Sequence, residues 1–327
     1  MFPFLLALAL VFDFLNGFHD SSNLVATAIS SGSMRPRVAL VLAALAEFAG
    51  PFIFGVAVAT TIGEGLLDLS AIPIQAITAA LAAAVVWNLI TWYIGIPSSS
   101  SHALIGGLLG AAILAGGTGY IQLTGLAKIL AALLISPVAG MLAGYLVMRI
   151  VLWAARDAAP RVNNVFRRVQ VATVIGLALS HGTNDAQKTM GVISMGLVAA
   201  GYLDSFHVPI WVIAVSAGAI ALGTSLGGWR LIRTLGGRIM RVRPVHAFSS
   251  QVAGAGVILG AALVGGPVST TQVMTSAIMG VGAAERVNKV RWLVLQEMMT
   301  AWLLTIPVTA LLSALAYLLL SAVTKAG

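Results

Sequence analysis

Apolar residues run through this chain in long blocks, not in strict alternation, and short polar or Arg-containing links separate them. A helix needs about 20 mostly apolar residues to cross a bilayer. By that measure the blocks predict crossings at 1–33, 38–63, 71–95, 98–118, 128–149, 168–201, 209–229, 245–265, 268–284 and 292–323. Several are too long or too short for one straight helix, so interrupted helices are expected. Two blocks contain residues that a lipid-facing helix does not explain: NGFHDSSN at 16–23 and HGTNDAQK at 181–188. Two others open on hydroxyls: IPSSSSHALIGGLLGAA from Ile96 and GPVSTTQVMTSAIMGVGA from Gly266.

These four motifs fall into two pairs. Gly17 aligns with Gly182, His19 with Asn184, Asp20 with Asp185 and Asn23 with Lys188. Downstream, Pro97 aligns with Pro267, and Ser99, Ser100 and Ser101 with Ser269, Thr270 and Thr271. The order and spacing are alike in both halves, which points to a duplication with repeats at 1–160 and 161–327.

Composition sharpens the class. The chain is 59% hydrophobic and 9% charged, where soluble domains carry about 25% charged residues; the mean hydropathy is +0.99. Cysteine is absent, which excludes a disulfide framework, a thiol nucleophile and any cysteine-ligated metal. The first residues lack a basic segment and hold Asp13 and Asp20, so no cleaved signal peptide is expected. The net charge of +8 has a distribution that explains it without nucleic acid. Arg35, Arg37, Arg149, Arg156, Arg161, Arg167, Arg168, Arg230, Arg233, Arg238, Arg241, Arg243, Arg286, Lys289 and Arg291 all fall on one side of an alternating topology. The other side holds Glu64, Asp68 and Asp204 with only Lys128 and Lys325. Lys and Arg mark cytoplasmic loops, so the expected location is a cell membrane, with Arg-rich loops inside and both termini outside.

In that topology the two Asp motifs run in opposite directions, as do the two Ser/Thr motifs. The expected fold is therefore an all-α polytopic membrane protein, one transmembrane domain of about ten crossings in two inverted-topology repeats with discontinuous helices. Secondary transporters use this architecture, with substrate and ion sites near the midplane.

The motif chemistry fits such a site. A carboxylate at mid-membrane costs at least ~2.5 kcal/mol and needs a partner or a function. Asp20 and Asp185 lie beside helix-weakening glycines and beside Asn23 and Asn184. Carboxylate and amide oxygens with freed backbone carbonyls suit Na⁺, whereas a lone Asp suits H⁺; neutralisation by Lys188 is the structural alternative. Ser98, Ser99, Ser100 and Ser101, and Ser269, Thr270 and Thr271, follow prolines and open helices, where N–H groups and hydroxyls suit an anion. Helix-packing glue is the alternative there. Lys188 reads either as an anion partner or as the neutraliser of an acid. Glu47 and Glu297 read equally as coupling-ion ligands or interhelix hydrogen-bonders. His19 and His102 could relay protons, contact a metal or sit satisfied in the core; two His without more ligands do not make a zinc site. Asp13, one to two turns before the first motif, is placed near an outer vestibule.

At these motifs the chain resembles the inorganic phosphate transporter (PiT) family over essentially its whole length. The resemblance rests on FDFLNGFHDSSNLVATAIS, GIPSSSSHALIGGLLGAA, SHGTNDAQKTMGVI and GPVSTTQVMTSAIMGVGA. It implies symport of inorganic phosphate with Na⁺ or H⁺, without ATP or another cofactor. Asp20, Asn23, Asn184, Asp185 and Lys188 would serve coupling ion and phosphate, with Glu47 as a further coupling acid. Ser98 to Ser101 and Ser269 to Thr271 would wrap the anion. The chain departs from the family pattern at Gln272, where His is usual, and at Gln251, where many relatives carry Glu; it also lacks a long central hydrophilic insert. Sulfate and metal–phosphate complexes are the competing substrates, and a homo-oligomer is left open. An enzyme acting on lipid phosphate is disfavoured, because no nucleophile–base set stands in the loops and two inverted copies do not suit one catalytic centre.

Overall fold

The computed structural model describes residues 1–327 except 70, 97, 160, 238 and 327, and describes no side chain over 234–237 and 324–326. Pro97, Arg238 and the Lys325 side chain therefore lie outside the described residues. The helices in chain order are α1 (Phe2–Ser30), α2 (Pro36–Phe54), α3 (Ala57–Gly63), α4 (Ile74–Ile94), α5 (Ser100–Gly116) and α6 (Leu123–Ala154). They continue with α7 (Val162–Ala199), α8 (Ile210–Leu226), α9 (Trp229–Gly237), α10 (Pro244–Leu263), α11 (Thr270–Glu285) and α12 (Trp292–Ala326). Among the described residues no strand forms, only an isolated bridge between Leu67 and Ile121.

Among the described residues six helices are long and apolar enough to cross a membrane: α1, α2, α4, α6, α10 and the Trp292–Val323 part of α12. The 38-residue α7 carries the second Asp motif, and α5 and α8 are shorter apolar helices. The polarity is that of a protein solvated by lipid. Leu134, Ile135, Leu303 and Leu311 are exposed on α6 and α12, while Asp20, Glu47, Asp185 and Lys188 are buried. The chain is a multi-pass membrane protein.

The helices break elsewhere than the glycines of the Asp motifs suggest. Both α1 and α7 run unbroken through those motifs. Gly17 and Gly182 instead permit close packing: a Cβ would stand 2.0 Å from the Ile220 carbonyl oxygen at Gly17, and 2.1 Å from that of Glu47 at Gly182. Small residues at such crossings let membrane helices approach backbone to backbone. The expected crossing 38–63 divides at Gly55 into α2 and α3, and the crossing 209–229 divides at Gly227 into α8 and α9. Backbone groups freed inside a bilayer find no water, so the protein itself must satisfy them. Gln187 does so at the first break, accepting from Val58 N (2.7 Å) and Ala59 N (3.2 Å) and donating to Gly55 O (2.5 Å). Ser21 does so at the second, accepting from Gly228 N (2.9 Å).

Packing partners recur when α1–α6 are exchanged for α7–α12. α1 packs on α8 and α7 on α2; α5 packs on α12 and α11 on α6; α3 meets α7 and α9 meets α1. Each half thus supplies the neighbours of the other. The helices that start near the core are α5 and α11. Each follows a glycine of positive φ, Gly95 at 80° and Gly265 at 71°, a conformation that costs glycine little and other residues more.

Gly17→Ala and Gly182→Ala should each lower stability by about 1–3 kcal/mol, the usual cost of overpacking. Gly176→Ala, where a Cβ meets nothing within 4 Å, should be neutral. Thermal unfolding in detergent reads the difference; equal midpoints for all three would contradict the packing.

Candidate substrate and ion site

The middles of α1 and α7 and the N-terminal turns of α5 and α11 meet in one buried network. Asp20 and Asp185, from the two halves of the chain, approach the same groups. Thr270 Oγ1 lies 3.1 Å from Asp20 Oδ2 and 3.0 Å from Asp185 Oδ2. His181 Nε2 lies 3.5 Å and 3.4 Å from the same two oxygens. One hydroxyl proton cannot serve two carboxylates at once. The arrangement calls for a proton on one acid or a cation between them. Asp20, Asp185 and His181 offer two oxygens and a nitrogen within 4.8 Å of one another, close enough to hold one cation. Asp20 and Asp185 are the acids the sequence offers as coupling-ion ligands, and His181 is the group the structure adds to them.

The remaining predicted residues attach to this centre. Asn23 Nδ2 donates to Asp20 Oδ1 (2.8 Å) and Thr271 Oγ1 (3.1 Å), and Thr271 Oγ1 donates to Asp20 Oδ1 (2.9 Å). Lys188 Nζ donates to Asp185 Oδ1 (2.5 Å), Ser101 Oγ (2.6 Å) and Val268 O (2.9 Å). Those three bonds use all its protons. Asn23 and Lys188 occupy aligned positions, as do Thr271 and Ser101, so the contacts Asn23–Thr271 and Lys188–Ser101 are equivalents in the two halves. Asn184 Nδ2 donates to Gly266 O (3.1 Å), in the segment that leads to α11.

Glu47 joins through His181, whose Nδ1 pairs with Glu47 Oε1 (2.6 Å), while Thr224 Oγ1 donates to Glu47 Oε2 (2.5 Å). Three buried carboxylates therefore share one lysine and one histidine.

Not every predicted residue points inward. Ser98 Oγ donates to Thr91 Oγ1 on α4 (2.9 Å). Ser99 and Ser269 cap their own helices, accepting from His102 N (3.2 Å) and Gln272 N (3.4 Å), the usual work of an N-cap serine. Ser100 is buried in the first turn of α5. His102 Nδ1 is 2.7 Å from Ser99 Oγ, and His19 is buried with Nε2 unpartnered. Glu297 is exposed on α12. Gln251 binds Thr173 (2.5 Å) and Thr27 (3.1 Å), not the partners of Glu47. Asp13 lies at no vestibule: it is fully buried. Sequence reasoning did not single out His181, although its place four residues before Asp185 puts both on one face of α7. Thr224 and Gln187 carried no comparable signal.

The ends of α10 differ. Beyond its C-terminus a cavity of about 620 Å³ is lined by Thr61, Glu64, Lys128 and Gly265 among others. It reaches the residue next to Gly266, the acceptor of Asn184. At its N-terminus Glu285 is clamped by Arg243, His246 (2.8 Å) and Lys289 (2.9 Å). A 20-residue helix is about 30 Å long, so cavity and clamp lie at opposite ends of the protein.

The family model described as phosphate transporter family matches residues 16–313. A probable low-affinity inorganic phosphate transporter of Bacillus subtilis is 45% identical, covering 96% of this chain and 95% of its own. A namesake in Rhizobium meliloti is 45% identical over 96% and 94%, and one in Mycobacterium tuberculosis 42% identical over 94% and 75%. The solved structure of a sodium-dependent phosphate transporter superposes with a TM-score of 0.89, at 24% identity, over 98% of this chain and 99% of that one.

Removing one partner of a buried ion pair typically costs about 3–5 kcal/mol. Lys188→Met should therefore destabilise the protein strongly, and Lys188→Met with Asp185→Asn should recover part of that loss. Thermal unfolding of the two singles and the double checks this; strictly additive losses would contradict a direct pair.

Proposed function

Because the chain belongs to the phosphate transporter family, we propose that it moves inorganic phosphate by cation-driven symport, with the two halves acting as inverted repeats around the Asp20–Asp185 centre. It is a transporter and not an enzyme. The observation that carries the symport reading is the shared contact of Asp20 and Asp185 with Thr270 and His181. Asp20, Asp185 and Glu47 outnumber Lys188 even with His181 protonated, and more so with a neutral His181 serving as a cation ligand. A phosphate anion adds further negative charge to a region of low dielectric, where unpaired charge is costly. Cations must accompany it. Hard oxygen donors from Asp20, Asp185, Asn23 and Asn184 suit Na⁺, and the solved transporter that shares this fold is sodium-dependent. Protons on the carboxylates are the alternative coupling currency.

Phosphate binds, in this reading, between the N-terminal turns of α5 and α11, where amide N–H groups and hydroxyls are donors suited to an oxyanion. Lys188 and Ser101 turn from each other and Val268 O toward the anion, and Thr270 and Thr271 act beside them. Ser98 and the caps Ser99 and Ser269 support the turns. The equivalent contacts Asn23–Thr271 and Lys188–Ser101, with the exchangeable packing of α1–α6 and α7–α12, support repeats at 1–160 and 161–327 and about ten crossings in all. Phosphate is favoured over sulfate because a protonated phosphate can donate to Asp20 or Asp185, which sulfate cannot.

With the Arg-rich loops cytoplasmic, the cavity at Lys128 faces outward and the Glu285 clamp closes the inner end. The site residues themselves are buried and none of them lines that cavity, so this arrangement is closed over the site. Orientation is testable because the chain lacks cysteine: Ser205→Cys should label from outside and Asn163→Cys only from inside, and the reverse would overturn the topology.

Uptake of ³²P-phosphate into proteoliposomes under separate Na⁺ and pH gradients tests the coupling. Asp20→Asn should abolish uptake or its ion dependence while the protein stays folded; Asp185→Asn should do the same to uptake, with the lowered stability that follows from leaving Lys188 unpaired. Parent-like, ion-dependent uptake by both variants would remove these acids from the mechanism.

A further inference from the structure

A second group of oxygens lies about two turns nearer the N-terminus of α1 than Asp20 and takes no part in the site described above. Asp13 is fully buried, and neither of its carboxyl oxygens has a hydrogen-bond partner. Helix register explains what surrounds it. Leu5 packs at Gly196 and Asn16 bonds Asp185, so antiparallel α1 and α7 bring Asp13 beside Thr189. Gly17 lies on Ile220 and Ser21 receives the Gly228 N–H, so α1 and α8 run in step and bring Asp13 opposite Ser216. The Thr189 and Ser216 hydroxyls face the carboxyl group without closing a hydrogen bond to it. Both are fully buried, and both lack any other partner.

Four oxygens from three helices thus converge with no nitrogen donor among them. The acids Asp185 and Glu47 act on Asp13 and repel a second carboxylate, while the neighbouring Lys188 and His181 are engaged by Asp185 and Glu47. A buried carboxylate facing only hydroxyls and other acids lacks the counter-charge it requires. Packing alone does not account for two hydroxyls and an acid placed together on three helices yet unbonded. A ligand of positive charge bound by oxygen does. One carboxylate with neutral hydroxyls suits a monovalent ion better than Ca²⁺ or Mg²⁺, which gather more oxygens or keep several waters.

We propose that Asp13, Thr189 and Ser216 form a second cation site, for a sodium-sized monovalent ion, separate from the Asp20–His181–Asp185 cluster. Asn16 links the two. It lies three residues from Asp13 on the same face of α1, its Nδ2 donates to Asp185 Oδ2 (3.4 Å), and its own Oδ1 is buried without a partner. An ion at Asp13 therefore acts one side chain away from the first cluster, and its presence biases the carboxylate that Lys188 and Thr270 hold.

Equilibrium binding of ²²Na⁺ to the purified full-length protein tests this with no phosphate present, so the result is independent of the substrate reading. Asp13→Asn should bind one Na⁺ fewer per chain than the parent. Ser216→Ala and Thr189→Val each remove one neutral ligand and should weaken the corresponding Na⁺ affinity by about two- to tenfold. These milder variants decide the matter should Asp13→Asn fail to fold. An unchanged Na⁺ count in folded Asp13→Asn, or parent-like affinity in both hydroxyl variants, would overturn the proposal and leave Asp13 a buried neutral acid.

Discussion

Lys188 is held by three elements at once: a carboxylate on its own helix, a hydroxyl on the first turn of α5, and a carbonyl in the segment before α11. A buried ammonium without such partners would not be tolerated in a bilayer. Satisfying it draws the starts of two short helices to the middle of the protein. Once those starts are there, their hydroxyls stand against the acids of α1 and α7, and every other contact of the centre follows. Gly17 and Gly182 allow this convergence by bringing α1 and α7 within backbone distance of α8 and α2.

On the proposed reading as inverted repeats, the two halves share a plan and differ in chemistry. The position that carries Asn23 in one carries Lys188 in the other, and each reaches the aligned hydroxyl, Thr271 or Ser101. One half thereby gathers oxygens suited to a cation, and the other supplies a positive charge suited to an anion. In the proposed symport, a similar frame with unlike occupants suits two unlike ions, and the surplus of carboxylates over cationic side chains is the electrostatic reason anion entry would depend on cations.

Much of this was legible in the sequence, because polar residues are conspicuous in apolar blocks. The two Asp motifs, their Ser/Thr counterparts and Lys188 could be named from pattern, and the structure brings Asp20, Asp185, Lys188, Ser101, Thr270 and Thr271 into one network. What sequence could not supply was direction. Ser98 turns to Thr91 and Ser99 is spent as a cap, choices set by the turn geometry before α5. The motif glycines read as helix-weakening, and only the neighbouring backbones show that they serve as contact points instead. His181 was in plain view, yet its role depends on Glu47 of a distant helix. The burial of Asp13 depends likewise on the register of three helices.

The central claim is that one site between the starts of α5 and α11 holds phosphate together with its driving cation. A structure determined by cryo-electron microscopy in phosphate and Na⁺ tests it most directly. The account predicts tetrahedral density in contact with Ser101, Lys188 and the first turn of α11, and spherical density against Asp20 and Asp185. Phosphate density confined to the cavity at Lys128, with the Lys188–Asp185 and Thr270 contacts unchanged and no cation at the acids, would contradict it.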